Sequence, residues 1–202
     1  MTLLEDERAT ETVRASGGPD TLRTARLVLR PPQAGDAKAI ATLVNDIRIA
    51  QNTTRIPHPY VLADAQGWLR AVNGKEGEAT YLVTLADDTV IGACGVELRD
   101  GKSPELGYWL GTHYWGQGYA TEAARAVIDH AFDELGCEEL QSGARISNPA
   151  SRRVLEKCGF QWCGVGLYRI RAIASSAPID RFRLDRGIWS SLKSWGKAKL
   201  SA

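Results

Sequence analysis

The run Trp115-Gly116-Gln117-Gly118-Tyr119-Ala120-Thr121 sets two glycines between an apolar, strand-like stretch and the start of a long amphipathic helix. Glycine lets a backbone turn sharply and approach a ligand closely. The unpaired amides of a first helical turn then face that ligand with a partial positive charge of about half a unit. Such a cradle holds anions, and a diphosphate is its natural guest. Dinucleotide-binding and P-loop turns use the same chemistry. Neither fits here, because the chain has no G-x-G-x-x-G and no Gly-Lys-Ser/Thr follows Gly118.

Further along lies Asn148-Pro149-Ala150-Ser151, continuing to Cys158-Gly159-Phe160. Asn148 suits a helix N-cap, Pro149 the first helical position, and Gly159 the helix end. Asn148 and Ser151 are therefore either plain capping residues or ligand contacts. The spacing Trp115-x-x-Gly118-x-Ala120 resembles the Q/R-x-x-G-x-G/A signature of the GNAT superfamily, the acyl-CoA-dependent N-acyltransferases, with Trp115 where Gln or Arg is usual. The second segment is similar to the N-x-x-S-x-x-x-x-x-x-x-G-F motif that closes the coenzyme site in that superfamily. Glu105-Leu106-Gly107-Tyr108-Trp109-Leu110 and Thr24-Ala25-Arg26-Leu27-Val28-Leu29-Arg30-Pro31 resemble the branch named for the ribosomal-protein N-terminal alanine and serine acetyltransferases.

The resemblance implies an α+β fold: a mixed, mostly antiparallel sheet flanked by helices, its two central strands, Glu105 to Gly111 and Glu139 to Arg145, splaying apart. It implies acetyl-CoA as co-substrate, with the pantetheine arm in the splay against backbone groups of Trp109, Leu110 and Gly111. The phosphates would sit on Trp115, Gly116, Gln117, Gly118, Tyr119, Ala120 and Thr121, and Asn148 and Ser151 would close the site. Transfer would be direct, from thioester to amine, with the Leu110 amide polarising the carbonyl.

Strand alternation puts Glu105, Gly107, Trp109 and Gly111 on one face and Leu106, Tyr108 and Leu110 on the other. Glu105 is then either a base acting through water or a cross-strand ion-pair partner. For the departing thiolate the resemblance offers Ser151. Tyr168 is a second candidate, because a phenol near pKa 10 lies closer to a thiol near 8.5 than an alcohol does. An α-amine acceptor near pKa 8 costs about 1.4 kcal/mol to deprotonate at neutrality, against about 4.6 for a lysine-type amine. An α-amine of a protein, peptide or amino acid is thus the easier substrate, a small metabolite or drug amine the rival, and a non-catalytic acyl-CoA-binding module the alternative of a different class. Arg55, His58, Tyr60 and Arg169 are candidates to meet the acceptor.

The elements that must position these residues follow from hydrophobic spacing. A strand over about 22–31 is expected, then a helix carrying Ala37, Ile40, Ala41, Val44 and Ile47, a helix over 64–72, and a hairpin of 81–85 with 90–98. Helices over about 117–135 and from Pro149, strands over 138–145, 160–173 and 179–184, and a terminal helix with Ile188, Leu192 and Trp195 complete the chain. Residues 1–20 read as a flexible tail and 21–202 as one domain.

With 25 basic and 24 acidic residues, net charge +1, nothing points to nucleic acid or a membrane surface. No apolar run spans a bilayer and no leader is evident, so a cytoplasmic monomer or homodimer is expected. His58, His113 and His130 lack metal-site spacing, so no metal is expected. Cys94, Cys137, Cys158 and Cys163 form no C-x-x-C and read as reduced thiols, with Cys158 and Cys163 packed and protonated rather than acyl carriers.

Overall fold

The computed structural model of the protein describes residues 20–72, 78–98 and 103–200, the side chains of 196–200 excepted. The tail expected over 1–20 lies outside the described residues apart from Asp20. In chain order the elements are β1 (Leu22–Arg23), β2 (Val28–Arg30), α1 (Ala37–Val44), α2 (Ile47–Ala50), α3 (Leu62–Ala71), β3 (Ala79–Thr84), β4 (Val90–Glu97) and β5 (Glu105–Leu110). There follow α4 (Tyr119–Asp133), β6 (Glu139–Arg145), α5 (Pro149–Lys157), β7 (Gln161–Ile170), β8 (Ser175–Asp185) and α6 (Arg186–Leu200).

The strands form one sheet in the order β1-β2-β3-β4-β5-β6-β8-β7. Every neighbouring pair is antiparallel except β5 and β6, which run parallel and share a single register pair, Glu105 with Gln141. Beyond that pair the two central strands part, and the expected mixed, mostly antiparallel sheet with a central splay is what forms.

Two expected elements divide. The strand expected over 22–31 becomes a tight β1–β2 hairpin, because Thr24 turns the chain: its N–H donates to Leu27 O at 3.0 Å and its hydroxyl accepts from Leu27 N at 3.0 Å. The helix expected to run through Ile47 stops at Val44, and Asp46 starts α2 instead by accepting from Arg48 N at 2.9 Å. Asp and Asn favour such local capping over helix interiors.

Register sorts the sheet into two faces. Glu105, Gly107 and Trp109 pair with Glu97, Gly95 and Ala93, and this face is covered by Ile40 and Val44 of α1, Ala65 of α3 and Tyr60 just before α3. Leu106 and Leu110 lie on the opposite face in a larger core with Ala123, Ala124, Val127 and Ile128 of α4, Leu155 of α5 and, at its margin, Trp189 of α6. The alanines of α4 let that helix sit close on the sheet, and this holds its N-terminus at the end of β5.

One ion pair anchors the first helix. Arg30 donates from both terminal nitrogens to Asp36, at 2.9 and 2.8 Å, and from Nε to Asp88 at 2.7 Å, while Asp36 also accepts from Gln33 N. Burial alone would raise the Asp36 carboxyl, but the Arg30 and Gln33 hydrogen bonds outweigh it and hold it below its usual range. A depressed folded-state value contributes stability above the unfolded value of about 3.9 and loses it as pH falls through the folded one. Asp36→Asn should therefore cost about 3 kcal/mol at pH 7 by urea unfolding. The gap to the parent should narrow in acid.

Candidate active site

After β5 the chain makes a 3-10 turn at Thr112–Tyr114 and enters the glycine loop. Gly116 and Gly118 both adopt left-handed backbone, with φ of +76° and +84°. Gly118 is the N-cap of α4, so the amides of the first helical turn follow at once. A Cβ on Gly116 would meet nothing within 4 Å, which makes dihedral demand, not crowding, the reason for glycine there.

The loop is braced from the other end of the chain. Arg26, in the β1–β2 turn, donates from Nη1 to Gln117 O at 3.0 Å and lies over the Tyr119 ring at 4.6 Å. Its Nε and backbone N–H also donate to Glu122 at 2.7 and 2.9 Å, and Thr24 Oγ1 donates to the same carboxylate at 2.7 Å. Burial works to raise the Glu122 carboxyl, but these bonds hold it below its usual range. A carboxylate in the first turn would compete with an incoming anion for the helix end. Here Arg26 and Thr24 engage it. Gln117, expected to contact the ligand, turns its side chain to His113 O at 3.1 Å and does not line the cleft.

A cleft of ≈ 1360 Å³ passes through the sheet where β5 and β6 part. Trp115, Gly116, Gly118, Tyr119, Ala120 and Thr121 line one end of it, with Asn148 and Ser151 beside them, and Glu105, Trp109, Tyr60 and Arg55 also reach it. Hydrogen-bond parity along β5 corrects one expectation. Gly111 N donates to Ile91 O at 2.9 Å, so odd-numbered residues of β5 spend their main-chain groups on β4. Trp109 and Gly111 are thus not the residues whose backbone faces the splay. Even-numbered residues face it, as Ser142 Oγ donating to Leu106 O at 2.9 Å demonstrates. Tyr108 and Leu110 lie next along that edge. The Leu110 carbonyl accepts from Trp115 Nε1 at 2.8 Å, leaving its N–H on the same edge. Trp115, the departure from the signature, thereby ties the loop to the strand.

Glu105 stands on the α1–α3 face, with Glu97 opposite it across the β4–β5 ladder. Glu97 is paired with Arg55. The segment after α2 is tied to the far half of the sheet by Arg171 N donating to Thr54 O at 3.1 Å and Arg145 Nη1 donating to Gln51 O at 2.8 Å. Of the acceptor candidates, Arg55 and Tyr60 line the cleft, whereas His58 and Arg169 do not. A bulge between Trp162 and Gly164 reverses the faces of β7, turning Tyr168 inward and Arg169 out, and Arg171 takes the lining place instead.

Ser151 lies on α5, at the opposite face of the sheet from Glu105. Its N–H donates to Asn148 Oδ1 at 3.2 Å, so Asn148 does cap the helix. Its hydroxyl is 2.8 Å from Tyr108 Oη. Burial, opposed by the Ser151 hydrogen bond, raises the Tyr108 phenol well above its ordinary value. Tyr108 escaped the sequence reading, because alternation assigns it to the apolar side of β5. Its phenol reaches past that side to α5. Tyr168 sits on the Glu105 face beside Ile170, Ala177 and Ile179, away from Ser151. Burial pushes the Cys158 thiol up to about 11 and raises Cys94 as well, as packed thiols require, whereas Cys163, expected to pack, is exposed. Among the described residues no group of His, Cys, Asp and Glu is arranged to hold a metal, and no helix is long and apolar enough to cross a membrane.

Residues 26–161 match the family described as Acetyltransferase (GNAT) domain. The chain is 30% identical over 148 residues, 70% of its length and 83% of the other's, to an uncharacterized N-acetyltransferase p20 of Bacillus licheniformis. It is 28% identical over 88 residues, 43% of its length and 49% of the other's, to the ribosomal-protein-serine acetyltransferase of Escherichia coli. Its fold superposes on Mycobacterium smegmatis RimJ in complex with CoA-disulfide with a TM-score of 0.74, at 18% identity, covering 88% of this chain and 95% of that one. The glycine cradle, the parted central strands and the match over residues 26–161 converge on one statement: the chain belongs to the GNAT acetyltransferases, the acyl-CoA-dependent N-acetyltransferase family.

Proposed function

We propose that this protein moves an acetyl group directly from acetyl-CoA to an α-amine of a protein, peptide or amino acid. The observation that carries the reading is the distribution of groups about the parted strands. Leu110 turns its main chain to the gap, Glu105 stands on one face of the sheet and Ser151 on the other. A tetrahedral intermediate needs a base where the amine enters, a donor at the oxyanion, and a hydrogen bond where sulfur leaves. Those three demands map onto Glu105, the Leu110 N–H and the Ser151 hydroxyl.

The first-turn amides of α4, behind Gly116 and Gly118, are the donors for the pyrophosphate. Glu105 would take the amine proton through water, the nitrogen would bond to the carbonyl carbon, and the C–S bond would break with its electron pair on sulfur beside Ser151. Tyr168, on the base side of the sheet, is poorly placed to serve the thiolate and is read instead as part of the acceptor wall. An α-amine is the easier acceptor for a carboxylate base, since its deprotonation costs about 3 kcal/mol less than that of a lysine-type amine at neutrality.

Thiol release from acetyl-CoA, measured against a panel of free-N-terminus peptides, amino acids, polyamines and aminoglycoside-type amines, tests this reading. Turnover should concentrate on α-amines. Preference for small amines without an α-amine would overturn the acceptor assignment, and no thiol release across the panel would reduce the protein to a binding module.

A further inference from the structure

We infer that Gly107 sets which acceptors reach the thioester, because the carbon bearing the attacking amine passes over its bare backbone. This rests on the reading of Glu105 and the Leu110 N–H given above. Glu105, Gly107 and Trp109 share the α1–α3 face of β5. At about 3.4 Å per residue, Gly107 lies about 7 Å along the strand from Glu105 and about 10 Å from Leu110. The amine must stand within one water of the base and within bonding approach of a carbonyl whose oxygen meets the Leu110 N–H. Its nitrogen is thereby confined to the stretch of cleft between those two groups. Gly107 faces that stretch, lines the cleft and is exposed. Trp109, the next residue on the same face, also lines the cleft and packs against the cluster under α1 and α3.

Glycine inside a strand weakens it, so its presence there needs a cause. The ordinary causes are a left-handed backbone, a crowded Cβ position, or the close approach of a ligand. Two glycines on the same face show crowding. A Cβ on Gly95, the β4 partner of Gly107, would meet Thr80 Oγ1 at 2.5 Å, and one on Gly143 of β6 would meet Ile179 Cγ2 at 2.8 Å. A Cβ on Gly107 would meet nothing within 4 Å, and its φ is outside the left-handed region. Neither backbone conformation nor packing requires glycine at 107, and the cause that fits is a ligand lying against the main chain. An α-amine carries both a side chain and a carbonyl on the carbon next to nitrogen, so it needs this room more than an unbranched amine does. Hydroxylamine, whose nitrogen bears no carbon, needs none of it.

The test is Gly107→Ala, assayed by thiol release from acetyl-CoA with a free-N-terminus peptide and with hydroxylamine, by calorimetric titration with CoA, and by thermal melting. The alanine should lower kcat/KM for the peptide about 30-fold, since displacing a reactant by about 1 Å costs up to about 100-fold. Thiol release to hydroxylamine, CoA affinity and KM for acetyl-CoA should each change less than about two-fold. The melting temperature should rise by about 2 °C, because alanine at an unstrained strand position restricts the unfolded chain. A structural glycine gives a different pattern, a lower melting temperature with peptide and hydroxylamine slowed together. That pattern overturns the inference, as does a loss with the peptide under about three-fold. If Glu105→Gln leaves the peptide rate and its pH profile unaltered, the reading of Glu105 falls and takes the inference with it. If Glu105→Gln is slow and Gly107→Ala is not, the inference alone falls.

Discussion

Gly118→Val should weaken CoA binding at least about 100-fold in a calorimetric titration while the protein remains folded. Gly118 holds φ of +84° at the N-cap of α4, a conformation that costs a β-branched residue about 1–2 kcal/mol or more. A Cβ there would also approach Nη2 of Arg26 at 3.4 Å, on the guanidinium whose Nη1 braces the loop. The domain absorbs the strain in one of two ways. It can keep the geometry and lose stability, which for a chain of this size lowers the melting temperature by roughly 2–8 °C. Alternatively, it can leave the left-handed region and swing the first-turn amides off their common target. The second outcome sacrifices two or more charge-assisted hydrogen bonds at about 1.5–3 kcal/mol each, which is the source of the expected loss in affinity. Gly116→Ala should be milder, since open space surrounds its Cβ direction and an alanine at φ +76° pays only the dihedral cost. Unchanged affinity in the valine variant would mean that the phosphates bind elsewhere.

The contrast between these two glycines shows what could be read from sequence and what could not. That glycines precede a helix start is visible in the chain, because turn chemistry and helix periodicity are local. The clamp on the loop is not, because Arg26 and Gln117 are 91 residues apart. The same limit applies to β5. Alternation correctly divides its side chains between faces, but which main-chain edge faces the splay depends on the register with β4, and only Gly111 N bonding to Ile91 O reveals it. So of the three residues expected at the splay, Leu110 stands there, Trp109 and Gly111 do not, and Tyr108 takes its place beside Leu110. In β7 the sequence does carry a signal, a glycine inside a strand: Gly164, at φ +130°, sits at the bulge. Reading it as a bulge would have separated two candidates that the sequence leaves together, giving Tyr168 the cleft side and Arg169 the outer one. Tyr108 illustrates a third limit. A tyrosine on an apolar face is indistinguishable from core filler until the partner of its hydroxyl is known.

Glu105→Gln should lower kcat/KM about 100-fold at pH 7, and the deficit should shrink as pH rises above the pKa of the acceptor amine. The sign follows from the substrate. Below its pKa the amine is mostly protonated, and a carboxylate must remove a proton before or during attack. Above it the neutral amine predominates and the base has less to do. The glutamine keeps the volume and a hydrogen-bonding head, so a purely structural role on the sheet surface predicts a loss of stability without a change in the pH profile. Glu97 supplies the control. It faces Glu105 across the ladder on the same side of the sheet, and its carboxylate pairs with Arg55, so as an ion-pair residue Glu97→Gln should change kcat/KM less than about three-fold and leave the profile's shape intact. Identical pH profiles for parent and Glu105→Gln would remove Glu105 from the mechanism, and a profile that changes only in the Glu97 variant would move the base one strand over.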